Sequence, residues 1–186
     1  MQGKKDVIQL IYKDKQMLEI LKTAKSLDLP DWCICAGFVR SKIWDALHRY
    51  EERTPLTDVD VVYFDKTNLN ETVEKQLENE LSHQMPNIPW SVKNQARMHL
   101  INDLEAYVNT EDAIAKFPET ATALGVKLVQ DNQLKLIAPH GVQDVLDMVV
   151  RPTPLFAGSH KLMKVFKKRT KEKEWQSKWW KVSVQA

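Results

Sequence analysis

The stretch TDVDVVYFD, residues 57–65, decides the fold prediction because it places Asp58 and Asp60 at the start of an apolar run. An ionised carboxylate is costly to remove from water, so two of them beside a buried strand need a physical reason. Side chains two residues apart on a strand point to the same face, roughly 6.6 Å apart along the backbone. Two carboxylates that close repel each other unless a cation or a proton lies between them. Oxygen ligands of this kind suit Mg²⁺ or Mn²⁺; two solvated acids without a role are the alternative.

A second motif precedes this strand. The residues CICAGFVRSKIWDAL, 33–47, read as a strand, a glycine turn and a helix. Free N–H groups at a helix N-terminus bind anions, and Gly37 allows a phosphate to approach the backbone closely. Arg40, Ser41 and Lys42 lie in or near the first helical turn, where Arg40 can hold a phosphate with two donors. A phosphate-binding turn followed by an Asp-x-Asp strand is the arrangement that nucleotidyl transfer needs, since divalent ions polarise the α-phosphate and stabilise the leaving pyrophosphate.

Length and composition predict one globular domain over residues 1–186, with 43% hydrophobic and 28% charged residues. The formal net charge of +2 identifies no partner. No apolar run approaches the roughly 18 residues of a membrane span, so we expect no membrane contact. Charges interrupt the apolar residues of the N-terminus, which is atypical of a secretory signal. Cys33 and Cys35 are interpreted as packing residues, and a reducing cytoplasm is the expected location.

The alternation of periodic segments predicts an α/β (α+β) fold with a mixed sheet flanked by helices. Strands are expected over 31–37, 58–64 and 90–95, and a hairpin over 125–139 turns at Asp131 and Asn132. Helices are expected over 6–27, 38–50, 69–85, 96–107 and 141–149. A basic helical segment is expected to close the chain at about 157–182.

Five blocks together resemble a known family: DLPDWCICAGFVRSKIWDALH (28–48), TDVDVVYFD (57–65), WSVKNQARMH (90–99), FPETATALGVKL (117–128) and APHGVQDVLDMVVRP (138–152). They are similar to the signature blocks of a bacterial nucleotidyltransferase-like family within the polymerase-beta-type nucleotidyltransferase superfamily. The resemblance implies that fold. It also implies that Gly37 is the glycine after the first strand and that Asp58 and Asp60 are the catalytic, metal-binding pair.

The chain departs from the superfamily pattern at two positions. Phe38 stands where the superfamily usually has a second small residue, Gly or Ser, and Ser41 is the candidate substitute from the first helical turn. The superfamily often adds a third acid on the strand after the next helix, where Asn94 is the best match. An amide binds Mg²⁺ without supplying charge, and Glu119 or Asp144 are alternative sources of an acid.

Two basic features have open interpretations. Arg97, four residues after Lys93, either contacts a phosphate or a base or forms internal hydrogen bonds. The tail from Lys161 to Lys181 has nine Lys or Arg against two Glu, interleaved with tryptophans. Such a tail either contacts RNA by stacking and phosphate binding or packs on the domain as a docked helix.

We therefore expect a divalent-metal-dependent nucleotidyltransferase that uses Mg²⁺ or Mn²⁺ to move a nucleotidyl group from a nucleoside triphosphate to an unknown acceptor hydroxyl. The alternative is a non-catalytic nucleotide- or RNA-binding module with a degenerate metal site.

Overall fold

A five-stranded mixed sheet forms the centre of the protein, whose computed structural model describes all residues 1–186. Its strands are β1 (Cys33–Cys35), β2 (Val59–Tyr63), β3 (Trp90–Asn94), β4 (Gly125–Leu128) and β5 (Leu134–Ile137). The strand order is β3-β2-β1-β4-β5. β2 and β3 are parallel, and the other neighbouring strands are antiparallel. The predicted mixed sheet is confirmed.

Helices surround this sheet. They are α1 (Lys4–Tyr12), α2 (Lys15–Lys25), α3 (Gly37–His48), α4 (Glu71–Gln84), α5 (Gln95–Asn102), α6 (Thr110–Ala115), α7 (Gln143–Leu146), α8 (Pro154–Ala157), α9 (His160–Lys173) and α10 (Trp175–Lys178). Two short strands, β6 (Val149–Val150) and β7 (Ser183–Val184), pair in parallel. None of the helices has the combination of length and apolar character that a membrane crossing requires.

Local backbone geometry explains where the elements differ from the predicted ones. The single helix expected over 6–27 is two helices, because the Asp14 side chain accepts a hydrogen bond from Met17 N–H and starts α2. β1 is shorter than expected because Asp31 and Ala36 on either side of it have left-handed backbones. The helix expected over 96–107 ends early at the left-handed Asp103. α6 and the β6–β7 pair were not predicted.

The sheet separates two apolar clusters of unequal size. Val59, Val61 and Tyr63 of β2 point into the main core, where side chains from most of the helices also pack. Val62 points to the other face, where it packs in a smaller cluster with the free, buried cysteines Cys33 and Cys35. The strand period of two therefore places Asp60 on the less covered face.

The outer edge of β3 is covered by carboxylates of α4. Glu78 accepts a hydrogen bond from Val92 N–H at 3.0 Å, and Glu74 accepts one from Asn94 N–H at 2.9 Å. Arg97 in turn binds Glu74 with two nitrogen atoms, each at 2.7 Å. These side chains satisfy backbone donors that an edge strand would otherwise expose.

The C-terminal segment docks on α3 through aromatic side chains. Trp44 of α3 is fully buried and packs edge-on against Trp175 and Trp179, with ring centroids 6.0 Å and 5.2 Å away. Trp179 Nε1 donates to Asp45 Oδ1 at 2.7 Å, and Phe166 of α9 is fully buried. The basic tail therefore packs on the domain, although as the separate helices α9 and α10 and not as one helix.

Trp179→Ala is expected to destabilise the protein by about 3–5 kcal/mol, because it leaves a cavity against Trp44 and removes one of the hydrogen bonds to Asp45. Trp180→Ala is the matched control: Trp180 is 71% exposed, so its change should stay within about 0.5 kcal/mol. Urea unfolding of both variants measures the difference. Equal midpoints for the two variants would contradict the docked arrangement.

Candidate active site

One cavity lies where the N-terminus of α3, the loop before β2 and the C-terminal segment meet. It has a volume of about 180 Å³. Its wall includes Gly37, Arg40 and Ser41 from α3, Asp58 from the end of the loop, and Lys173 from the end of α9. The structure thus brings together Gly37, Arg40, Ser41 and Asp58, which belong to the two sequence motifs that predict the site.

The first turn of α3 presents its backbone to this cavity. Ala36 is the N-cap residue, and it has no side-chain oxygen to accept hydrogen bonds from the first N–H groups of the helix. A Cβ atom at Gly37 would lie 3.5 Å from Asp58 Oδ1 and 3.6 Å from Arg40 Nη2. Gly37 therefore leaves open the space between a carboxylate and a guanidinium, next to uncapped helix donors that favour an anion.

Asp58, directly before β2, and Asp60, within β2, form a carboxylate pair in which the charge of one acts on the other. Asp60 lies between Cys35 of β1 and Ser91 of β3 in the sheet register. Burial, and then the charge of Asp58, raise the pKa of Asp60 to about 6, although a hydrogen bond from Ser91 and the charge of Lys173 oppose this. The pair is thus a site of concentrated negative charge.

These residues fit a divalent ion shared with a phosphate. Neither Asp58 nor Asp60 has an ion-pair partner, whereas the partly buried Asp14 and the buried Glu74 and Glu119 each contact a Lys or Arg. No group of three Asp, Glu, His or Cys residues comes close enough to hold a metal. Two carboxylates leave most of a Mg²⁺ coordination sphere to water and phosphate oxygens, which is the usual arrangement for this ion.

Arg40 is held against the cavity by aromatic rings. Its guanidinium carbon lies 5.1 Å, 5.0 Å and 5.7 Å from the ring centroids of Trp44, Trp175 and Trp179. Burial lowers the pKa of Arg40 to about 10, so the side chain stays cationic at neutral pH. Its Nε is buried without a hydrogen-bond partner, and Nη2 makes only a long bond of 3.4 Å to Ser41 Oγ. Most of its donors are therefore available to a ligand.

Phe38 stands at the position where the superfamily pattern has a small residue, and Ser41 is the candidate substitute for that residue. Phe38 is fully buried in the main core, so its side chain is remote from any ligand of the cavity. Ser41 lines the cavity, with its hydroxyl hydrogen free to donate. That Ser41 substitutes for the small residue stays a prediction, which its position in the cavity wall supports.

Asn94 does not face the aspartate pair, contrary to the prediction of a third ligand. In the register of β2 and β3 it lies opposite Tyr63, three residues beyond Ser91. Its Oδ1 accepts from Ala96 and Asp65 N–H groups, and its Nδ2 donates to backbone oxygens. Asn94 therefore caps α5 and holds the loop at Asp65 and Asn68 in place. The residue of β3 that lies beside Asp60 is Ser91.

Lys42 and Arg97 also lie away from the cavity. Lys42 Nζ lies 2.7 Å from Asp14 Oδ2 at the start of α2, so its predicted phosphate contact does not fit the structure. Arg97 binds Glu74 on α4, which supports the internal-hydrogen-bond alternative over a phosphate or base contact.

Glu119 and Asp144 are engaged in structural contacts instead of supplying a third acid. Glu119 is fully buried, accepts a hydrogen bond from Thr122 Oγ1 and lies 2.7 Å from Arg169 Nε. Asp144 accepts a hydrogen bond from Thr120 Oγ1 and forms an ion pair with Arg151. Neither carboxylate lines the cavity.

Sequence reasoning missed the contribution of the C-terminal segment to this site. Lys173, Lys178, Trp175 and Trp179 all line the cavity. More than a hundred residues separate them from Asp58, and no spacing rule links the two. The alternation of lysine with tryptophan was the only local signal, and it was interpreted as an RNA arm or a packed helix.

Comparisons with known proteins concern the family and the fold of the chain. A family model described as nucleotidyltransferase matches residues 22–184. A comparison with curated proteins finds no match. One solved structure, described as an NMR structure that reveals a CCA-adding enzyme head domain, has a TM-score of 0.90 and 31% identity. That match covers 100% of this chain and 97% of the other.

Full CCA-adding enzymes share the fold at lower identity. The complex of one such enzyme with CTP has a TM-score of 0.56 and 14% identity, and an apo form has 0.59 and 13%. Each match covers 97% of this chain but only 43% and 42% of the other chain. This chain therefore spans less than half the length of those enzymes.

Asp60→Asn is expected to stabilise the metal-free protein at pH 8 and to have a much smaller effect at pH 4.5. The folded-state pKa of Asp60, about 6, lies above the ordinary value of 3.8, so stability is lost as the pH rises between these values. This difference in pKa corresponds to a gain in the free energy of unfolding on the order of 2–3 kcal/mol for Asp60→Asn above pH 7. Urea unfolding in the presence of EDTA at both pH values measures it.

The control for this pH effect is Asp131→Asn, at an exposed turn where Asn also tolerates the left-handed backbone. It should change stability equally at both pH values. If Asp60→Asn changed stability equally at both pH values, the result would contradict the raised pKa of Asp60 in the folded protein.

Proposed function

The chain belongs to the nucleotidyltransferase family, and from this premise we propose that it moves a nucleotidyl group from a nucleoside triphosphate to a hydroxyl group of an acceptor, with a divalent metal ion. The observation that carries the proposal is the Asp58–Asp60 pair. It lacks any ion-pair partner and lies beside the uncapped N-terminus of α3. Asp58 of this pair lines the same cavity as Arg40 and Ser41, so an acid for a metal lies beside donors for phosphate.

A nucleoside triphosphate is the substrate that the charges of this cavity favour. Solved CCA-adding enzymes of the same fold are described in complex with CTP and with ATP. In this chain, Gly37 at the start of α3 and the side chain of Arg40 line the same cavity. Arg40 supplies a planar pair of donors that matches phosphate oxygens, and Ser41 adds a hydroxyl.

Asp58 and Asp60 are the residues that would hold Mg²⁺ or Mn²⁺, which when bound neutralises charge that develops on the phosphates. The chain's own residues orient the substrate. Backbone N–H groups of α3 and Arg40 fix the triphosphate, and the tryptophans around Arg40 keep its donors aimed at the cavity. With a pKa of about 6, Asp60 is mostly ionised at neutral pH and is available as a ligand.

One observation favours the second candidate, a module that binds nucleotide without catalysis. The β3 residue beside Asp60 is Ser91, so a neutral hydroxyl occupies a position where a third carboxylate would strengthen the metal site. Two carboxylates alone hold a metal less tightly. RNA contact through the tail belongs to this alternative, and its support is limited to the exposed lysines and Trp180, because Trp175 and Trp179 are buried.

Ser91→Asp is expected to tighten Mn²⁺ binding at least tenfold, because it places a third carboxylate about 5 Å from the position of Asp60 across parallel strands. Asn94→Asp is the control: it adds the same charge on the same strand but away from the pair, and it keeps an acceptor for the cap of α5 while losing the two donations to Asp65 O and Asn68 O. Calorimetric titration with Mn²⁺ in the presence of a nucleoside triphosphate compares the variants. If Asn94→Asp bound Mn²⁺ more tightly than Ser91→Asp, Asn94 and not Ser91 would be the residue of β3 beside the metal site.

Asp60→Asn is expected to reduce nucleotidyl transfer at least a hundredfold, since it removes charge from the metal site while preserving side-chain volume. Pyrophosphate release from labelled nucleoside triphosphates, with a cell extract as acceptor pool, measures the activity. Asp131→Asn, at the exposed turn between β4 and β5, should retain it.

Equal release by the wild type and Asp60→Asn would exclude the proposed catalytic role. Nucleotide binding without release from any variant would favour the non-catalytic module.

A further inference from the structure

The C-terminal segment changes direction at Glu174, which has a left-handed backbone with φ 43° and ψ 40°. α9 ends just before this residue and α10 starts just after it. On one continuous helix, residues five positions apart project roughly 140° away from each other. The break at Glu174 instead allows Lys173 and Lys178 to line the same cavity.

The backbone that carries these lysines is fixed to α3. Trp175 and Trp179 are 4% and 2% exposed and pack on Trp44. Tyr50 donates its hydroxyl hydrogen to the backbone oxygen of Lys178 at 2.6 Å. The two lysines therefore extend from an ordered scaffold.

The cavity wall has more positive than negative charge. Lys173, Lys178 and Arg40 line it together with a single carboxylate, that of Asp58. Neither lysine forms a salt bridge, whereas Lys168 on the same helix pairs with Glu172. Three cations around one cavity repel one another unless an anion lies between them. The arrangement is suited to a ligand with several negative charges.

We propose that Lys173 and Lys178 bind the polyphosphate chain of the substrate, so that the C-terminal segment completes the active site. This inference rests on the proposed function, because it concerns the same cavity. It also defines what the cavity recognises. Binding should strengthen with the number of phosphates, from monophosphate to triphosphate, and inorganic tripolyphosphate should bind without a base or a sugar.

The test is calorimetric titration of the intact protein with inorganic tripolyphosphate, in metal-free buffer at fixed ionic strength. Lys173→Gln and Lys178→Gln should each weaken binding at least tenfold. Lys171→Gln is the matched control, since it removes the same charge from the same helix at an exposed position outside the cavity wall. It should weaken binding less than twofold. Thermal melting of the three variants checks that the fold is unchanged.

Two results would overturn the proposal: equal weakening by all three substitutions, which would indicate a general effect of the basic tail, or unchanged binding by both cavity variants. The outcome is separable from that of nucleotidyl transfer. Asp60→Asn removes a negative charge near the cavity and should bind tripolyphosphate at least as tightly as the wild type. Lysine-dependent binding in a protein that releases no pyrophosphate would support this inference and contradict the proposed transfer.

Discussion

The antiparallel register between β1 and β2 is the constraint on which the rest of the structure depends. It pairs Cys35 with Asp60, so the end of one strand lies beside the start of the other. α3 begins directly after β1, and Gly37 therefore lies against Asp58. A slip of one residue would turn both aspartates into the main core and the valines of β2 out of it. The same alternation that buries the valines thus fixes the position of the carboxylates.

The candidate site combines two halves of opposite charge that come from distant parts of the chain. The sheet supplies the acids, and α3 with the C-terminal segment supplies the cations, around a tryptophan cluster centred on Trp44. Neither half is neutralised by its own neighbours: Asp60 has a raised pKa, and Arg40 retains unpaired donors. Ligands that bind only the folded state would compensate for this strain and stabilise the protein.

The sequence alone predicted the mixed sheet, the glycine turn and the aspartate pair, because each depends on local periodicity or on residues close together in the chain. It did not predict which residue of β3 lies beside Asp60, since strand register depends on tertiary packing. Ser91 and Asn94 are three residues apart, and an odd separation on a strand places two side chains on opposite faces. The lysines of the cavity wall were missed for a related reason: their position depends on a backbone reversal at Glu174 and on docking against α3.

The carboxylates along the edge of β3 have a consequence for how the protein behaves at high concentration. Burial alone would raise the pKa of Glu74, but hydrogen bonds from Arg97 and from Asn94 N–H hold it below its usual value. For Glu78, Lys75 and Val92 N–H likewise outweigh burial. Both groups therefore stay ionised in mildly acidic solution and keep accepting the hydrogen bonds of the edge strand. The capped donors of Val92 and Asn94 make this edge a poor template for a strand from another molecule.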